Sequence, residues 1–201
     1  MTTPFVHQFV PGDQERTLLL LHGTGGDEHS MLSLGRSLAP GAALLAPRGR
    51  VLEGRMPRFF RRLAEGVFDL EDLARRTAEL GEFVEWAAGA YGFPPAGVTA
   101  VGYSNGANIA SSLLLTRPGL VRRALLFRGM TPFEPVVRPD LSGTRVRLVA
   151  GRYDPIVPVA DVSRLASLFT TAGADVALDW REAGHELTPE ELTGARAWLA
   201  S

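Results

Sequence analysis

The chain has 201 residues, 45% of them hydrophobic and 21% charged, enough to bury the core of one globular domain over residues 1–201. A formal net charge of −1 offers no global attraction to nucleic acid, and the lack of cysteine excludes disulfides, a thiolate nucleophile and thiolate metal ligation. The first residues lack the basic and apolar parts of a secretory signal and no apolar run reaches the length of a membrane span, so a cytoplasmic location is expected.

Phe5 to Val10 alternates and stops at Pro11-Gly12-Asp13, the pattern of an edge strand and a turn. Thr17 to Leu21 is continuously apolar, as in a strand covered on both faces, and it runs into the loop His22-Gly23-Thr24-Gly25-Gly26-Asp27-Glu28. Met31, Leu34 and Leu38 share one face of a short helix that ends at Pro40-Gly41. Ala42 to Ala46 is a second buried strand. Residues 48 to 68 have no clean period and read as an excursion over the strand ends.

Asp69 can cap a long helix with Leu70, Leu73, Thr77, Leu80 and Val84 facing inward, ending near Gly92. Val98 to Val101 is a strand, followed by Gly102-Tyr103-Ser104-Asn105-Gly106 and a helix of small residues that stops at Pro118-Gly119. Val121 to Phe127 and Arg145 to Ala150 are two more strands. Val159, Val162, Leu165, Ala166 and Phe169 form the next helix face, with Gly173 at its C-terminal cap. Asp175 to Trp180 is the last strand. Thr188-Pro189-Glu190-Glu191 carries a capping residue, a proline in the first turn and a glutamate three after the cap, so it starts the final helix. Strands alternating with helices throughout imply a mostly parallel central sheet with helices on both faces. No insertion is long enough for a large lid.

Ligands of such sheets bind beyond the carboxyl ends of the strands, so chemistry is sought in the loops that follow them. A G-x-S-x-G between strand and helix is the nucleophile-elbow pattern, which makes Ser104 the candidate nucleophile. A serine hydroxyl needs a base, and the base needs an orienting acid. His7 lies in the edge strand, His22 braces its own glycine loop and His29 sits beside acids near a helix start. His185, between the last strand and last helix, is the expected base. Among the intervening aspartates, Asp154 alone directly follows a strand; its alternative role is an Asp-Pro turn. The oxyanion donors expected are the backbone N–H groups of Asn105, next to the nucleophile, and of Thr24, between two glycines. The glycine loop lacks a P-loop lysine and the G-x-G-x-x-G spacing, so phosphate cradling is set aside.

With these motifs assembled, the chain resembles the phospholipase/carboxylesterase family of α/β-hydrolases over nearly its whole length. The resemblance rests on His22 to Glu28, Gly102 to Asn108, Asp154-Pro155-Ile156-Val157-Pro158 and Gly184-His185. Acyl-protein thioesterases and small bacterial carboxylesterases belong to that family. Arg58 to Arg62 with Glu65 to Asp69 resembles a bacterial branch linked to hydroquinone and quinone stress. Thioesterase relatives usually follow the nucleophile with Gln-Gly-Gly; Asn105-Gly106-Ala107 departs from that and points away from protein thioesters. The resemblance implies an α/β-hydrolase fold and a carboxylesterase acting on small-molecule esters through an acyl-enzyme, with no metal or organic cofactor. A homodimer is left open.

Phe59, Phe60, Met130, Phe133 and Ile156 are expected over the strand ends as an acyl or aryl pocket, with core packing as their other role. Six arginines between positions 48 and 62 surround Glu53 and suit either an anionic substrate or a solvated face. The competing functions are a lysophospholipase or thioesterase for longer chains, and a ligand receptor that retains its triad.

Overall fold

The computed structural model describes residues 5–12 and 16–201, so Asp13 of the expected first turn lies outside the description. Seven strands of the described residues form one sheet. They are β1 (His7–Val10), β2 (Thr17–Leu21), β3 (Ala43–Pro47), β8 (Val98–Tyr103), β9 (Arg123–Phe127), β10 (Arg145–Gly151) and β11 (Asp175–Arg181). Their order is β1-β3-β2-β8-β9-β10-β11; β1 runs antiparallel at one edge and every other pairing is parallel. The runs that are apolar without alternation, β2 and β3, are buried along their whole length, as strands covered on both faces must be.

Five helices cover the sheet: α1 (Leu32–Leu38), α2 (Leu70–Tyr91), α3 (Asn105–Thr116), α4 (Val159–Thr171) and α5 (Pro189–Ala200). One buried cluster joins Leu73, Leu80 and Phe83 of α2, the alanines, isoleucine and leucines of α3, and Leu165 and Phe169 of α4. The opposite cluster joins Leu38 of α1 to Ala195, Trp198 and Leu199 of α5. This layered arrangement is the one that the α/β-hydrolase resemblance implies, and among the described residues no large lid is inserted. No helix of the described residues is long and apolar enough to cross a membrane.

Local signals set most boundaries. Asp69 accepts the Asp72 N–H at 3.0 Å, and Gly92 closes α2 in the left-handed conformation at φ 72°. Glu191 reaches back to the Thr188 N–H at 2.6 Å and starts α5. Two expected stripe residues face solvent instead. Leu70 and Val159 are each first in their helix, where a side chain leans back past the helix end and meets no preceding turn. The stretch without a period contains two short hairpins, β4 (Val51–Glu53) with β5 (Met56–Arg58), and β6 (Arg62–Ala64) with β7 (Val67–Phe68).

Candidate active site

The site forms where β8, β10 and β11 end, beside the end of β9. Between β8 and α3 the chain reverses at Ser104, which has φ 53° and ψ −114°, a backbone state that costs a non-glycine residue on the order of 1–3 kcal/mol. The flanking glycines allow the reversal. A Cβ on Gly106 would lie 1.9 Å from the Leu21 carbonyl oxygen, and one on Gly102 would lie 2.7 Å from the Ala107 backbone. The Ser104 N–H donates to the Phe127 carbonyl at 2.9 Å, so the end of β9 holds the turn in place.

His185 Nε2 lies 3.0 Å from Ser104 Oγ, and His185 Nδ1 lies 2.8 Å from Asp154 Oδ2. An ionised carboxylate only accepts, so Nδ1 carries the hydrogen and Nε2 is left to accept the serine proton. The Asp154 side chain is 1% exposed. Its other oxygen accepts the N–H groups of Ile156 (2.8 Å) and Val157 (3.0 Å). The turn-forming and histidine-facing roles of this aspartate therefore coexist, one on each oxygen. The three side chains proposed from sequence are brought into one hydrogen-bonded chain.

The other histidines lie elsewhere. His7 packs with Phe83, Trp86 and Tyr91 at the β1 edge. His29 is exposed beside Glu28. His22 is buried under the glycine loop; its Nδ1 donates to the Gly23 carbonyl at 2.7 Å and its Nε2 accepts the Gly49 N–H at 2.9 Å. Burial pushes its pKa below the ordinary value, against the pull of the Gly23 carbonyl.

Thr24 and Asn105 both line the cleft that holds Ser104 and His185. Asn105 is the first residue of α3, so its N–H is among the first-turn donors that no intrahelical carbonyl satisfies. The Asn105 side chain accepts the Phe59 N–H at 2.7 Å, and the Thr24 hydroxyl accepts Arg58 Nη1 at 2.6 Å. These two bonds fasten the hairpin segment to the elbow and to the glycine loop.

The cleft has a volume of about 350 Å³. Of the apolar residues expected there, Met130 and Ile156 line it, together with Met56, Phe68 and Val157. Phe59 and Phe60 do not. They are 1% and 0% exposed, packed into the core with Phe59 against the His22 ring and Phe60 edge-on to Phe68. Phe133 also packs partly buried against that core and is absent from the cleft wall. Adjacent aromatics are the strongest burial signal in the segment, and the two hairpins turn them under the site instead of into it.

Most of the arginine cluster is engaged in ion pairs. Arg48 meets Glu28, Arg50 meets Glu79, Arg61 meets Asp69, and Arg62 meets Glu53 at 2.7 Å. Arg58 is buried and lines the cleft with Arg62; burial and then the Arg62 charge lower its pKa. Sequence reasoning missed two neighbours of the histidine, Tyr103 and Arg128. The Tyr103 hydroxyl donates to the His185 carbonyl at 3.1 Å, and burial raises its pKa. Arg128 follows β9 as a charge with 0% exposure. Its one signal in the sequence is a cation directly after an apolar strand.

The model of one protein family, described as Phospholipase/Carboxylesterase, matches residues 9–201. The chain is 46% identical over 192 residues to MhqD of Bacillus subtilis (strain 168), a hydrolase by name, covering 96% of each protein. The crystal structure of the Bacillus cereus carboxylesterase superposes with a TM-score of 0.96 at 43% identity, covering 99% of this chain and 95% of that one. A carboxylesterase from Mesorhizobium loti superposes with a TM-score of 0.94 at 34% identity, covering 100% and 97%.

Proposed function

Because the chain belongs to the phospholipase/carboxylesterase family of α/β-hydrolases, we propose that it is a serine carboxylesterase that cleaves small carboxylic esters. The observation that carries this reading is the relay from Ser104 Oγ through His185 to Asp154, at 3.0 and 2.8 Å, opening on the cleft. Ser104 Oγ attacks the acyl carbonyl as His185 Nε2 takes its proton. Asp154 holds the imidazole in the required tautomer and stabilises the imidazolium that forms. The developing oxyanion is received by the Thr24 and Asn105 N–H groups; one such donor is worth roughly 10²–10³ in rate. His185 then returns the proton to the alkoxide leaving group. In the second half, water gives a proton to His185 as it attacks the acyl-serine, and His185 returns that proton to Ser104 Oγ as the ester bond breaks and the acid leaves.

The cleft supports a small ester. Its volume is at the low end for ligand sites, roughly 300–1,000 Å³, and its wall mixes Met56, Met130 and Ile156 with arginines. The test is labelling with a fluorophosphonate together with turnover of p-nitrophenyl esters of increasing acyl length. The expected result is labelling that is lost in Ser104→Ala, with turnover that is highest on short acyl groups. Activity that rises steeply beyond about eight carbons would reverse the substrate assignment in favour of a long-chain lysophospholipase or thioesterase. Ligand binding without labelling would reverse the hydrolase assignment itself.

A further inference from the structure

We propose that Arg128 is a positioning residue for His185, acting through the backbone of the loop that carries it; the proposal rests on the serine-hydrolase reading of His185. All three guanidinium nitrogens of Arg128 donate to main-chain carbonyls: Nε to Gly184 at 2.9 Å, Nη1 to Val149 at 3.2 Å and Nη2 to Glu186 at 2.7 Å. The Tyr103 hydroxyl takes the carbonyl between them, that of His185. Three consecutive carbonyls are thus held by side chains from β8 and from the end of β9.

The consequence is geometric. The Gly184 carbonyl marks the peptide plane before the His185 Cα, and the His185 carbonyl marks the plane after it. Two planes fixed at their oxygens fix φ and ψ of His185, and with them the direction of its Cα–Cβ bond. A strand-end loop is ordinarily among the more mobile parts of a fold. Here its histidine must keep both nitrogens in register with groups on two other strand ends; Arg128 supplies that constraint at the carbonyls on either side of His185, and Tyr103 at its own. A planar fork spreads its donors over three nitrogens and so spans three separate acceptors, whereas a lysine offers its donors from a single nitrogen.

Arg128 is built in at a cost. It is 0% exposed and non-glycine at φ 56°, and its charge is answered by Glu191, whose Oε1 lies 2.7 Å from Nη2 and off the line of a hydrogen bond. Glu191 is also fully buried and caps α5 through the Thr188 N–H. A buried ion pair of this kind is weak evidence for a role in stability, since an apolar replacement of both partners is often neutral or better. Its placement around the histidine loop, with three carbonyls as ligands, gives it a use.

The test is Arg128→Met combined with Glu191→Gln, which removes both buried charges while glutamine retains the cap, alongside Arg128→Lys. Each is assayed by thermal melting, by kcat and KM on p-nitrophenyl acetate, and by the low-field proton NMR signal of the His185–Asp154 hydrogen bond. The expected result is a cooperative melt, kcat lower by about 10²-fold with KM near wild type, and a low-field signal broadened or lost. Arg128→Lys is expected to fold and to lose about tenfold in kcat, and it decides the matter if the double variant does not fold. Wild-type kcat and an unchanged signal in a folded variant overturn the proposal. If the wild-type protein hydrolyses nothing and resists fluorophosphonate, the hydrolase reading falls instead, and the His185 signal alone judges the clamp.

Discussion

The Gly23 carbonyl accepts the Nδ1–H of His22 at 2.7 Å, and that carbonyl belongs to the same planar peptide as the Thr24 N–H. In a trans peptide the C=O and N–H point in opposite directions within that plane, so holding the oxygen aims the hydrogen away from it. His22 thereby sets the direction of a proposed oxyanion donor without approaching the substrate. In His22→Ala, kcat should fall by roughly 10²-fold with KM little changed, because the donor is used most in the transition state. A KM effect with kcat intact would place His22 in substrate binding instead.

The same residue predicts a pH dependence of stability. Burial holds folded His22 below its ordinary pKa near 6.5. Under mildly acid conditions the unfolded chain takes a proton at this imidazole and the folded protein does not. Stability from this site is complete above about pH 6.5 and declines as pH falls toward the folded value. The Asp69 carboxylate, lowered first by the Asp72 N–H and then by Arg61, loses its contribution only below about pH 4, so the two windows separate. Urea unfolding of wild type and His22→Gln at about pH 7.5 and 5.5 should show the wild-type advantage shrinking at the lower pH. An equal gap at both would mean that His22 binds its proton alike in both states.

Asp154→Asn separates the two jobs of that residue. The amide oxygen can still accept the Ile156 and Val157 N–H groups, so the turn survives. Its NH₂ then faces His185 Nδ1, which must accept, and the ring hydrogen moves to Nε2 where the serine proton was to go. The variant should melt within about 1 kcal/mol of wild type and lose roughly 10³–10⁴ in kcat, as the equivalent change does in serine proteases. A large drop in stability with modest loss of rate would make the turn the main role.

The alternation of strands and helices was readable because β2 and β3 are unbroken apolar runs, because apolar residues dominate β8, β9 and β10 between turn residues, and because Asp69 and Thr188 are strong helix starts. The chain Ser104–His185–Asp154 was readable because each residue follows a strand, and a parallel sheet gathers such positions at one edge. The hairpins of residues 51–68 were not. Their strands are two or three residues long, too short for a period, and their pairing is set by turns at Gly54 and Gly66. The burial of Phe59 and Phe60 depends on those hairpins and was lost with them. Arg128 was hidden for another reason: its partners are main-chain carbonyls, which leave no mark in a sequence.

Ser104 stores strain that its replacement can release. Alanine inherits φ 53°, whereas glycine adopts that backbone freely. Ser104→Gly should exceed Ser104→Ala in unfolding free energy by about 1 kcal/mol or more, although the glycine loses more entropy on folding. Equal stabilities would mean that the elbow is relaxed.

Phe59 and Met130 were both expected in the pocket, and the structure assigns them different places, so truncating each should move a different observable. Phe59 is buried against His22, and its truncation to alanine opens a cavity in the core; the loss should be about 3–5 kcal/mol. Its acyl-length preference should stay as in wild type, apart from a general loss of rate through the disturbed His22. Met130 lines the cleft and is only partly buried, with its N–H held by Asn108 Oδ1 at 2.7 Å, so the backbone stays in place when the side chain is cut. Met130→Ala should change stability by about 1 kcal/mol and widen the cleft. The ratio of kcat/KM for a hexanoate over an acetate ester should then rise several-fold, in line with about 1–3 kcal/mol for the methylenes a pocket newly accepts. If Phe59→Ala shifts that ratio and Met130→Ala does not, the acyl chain runs beneath the hairpins and Met130 is no part of its pocket.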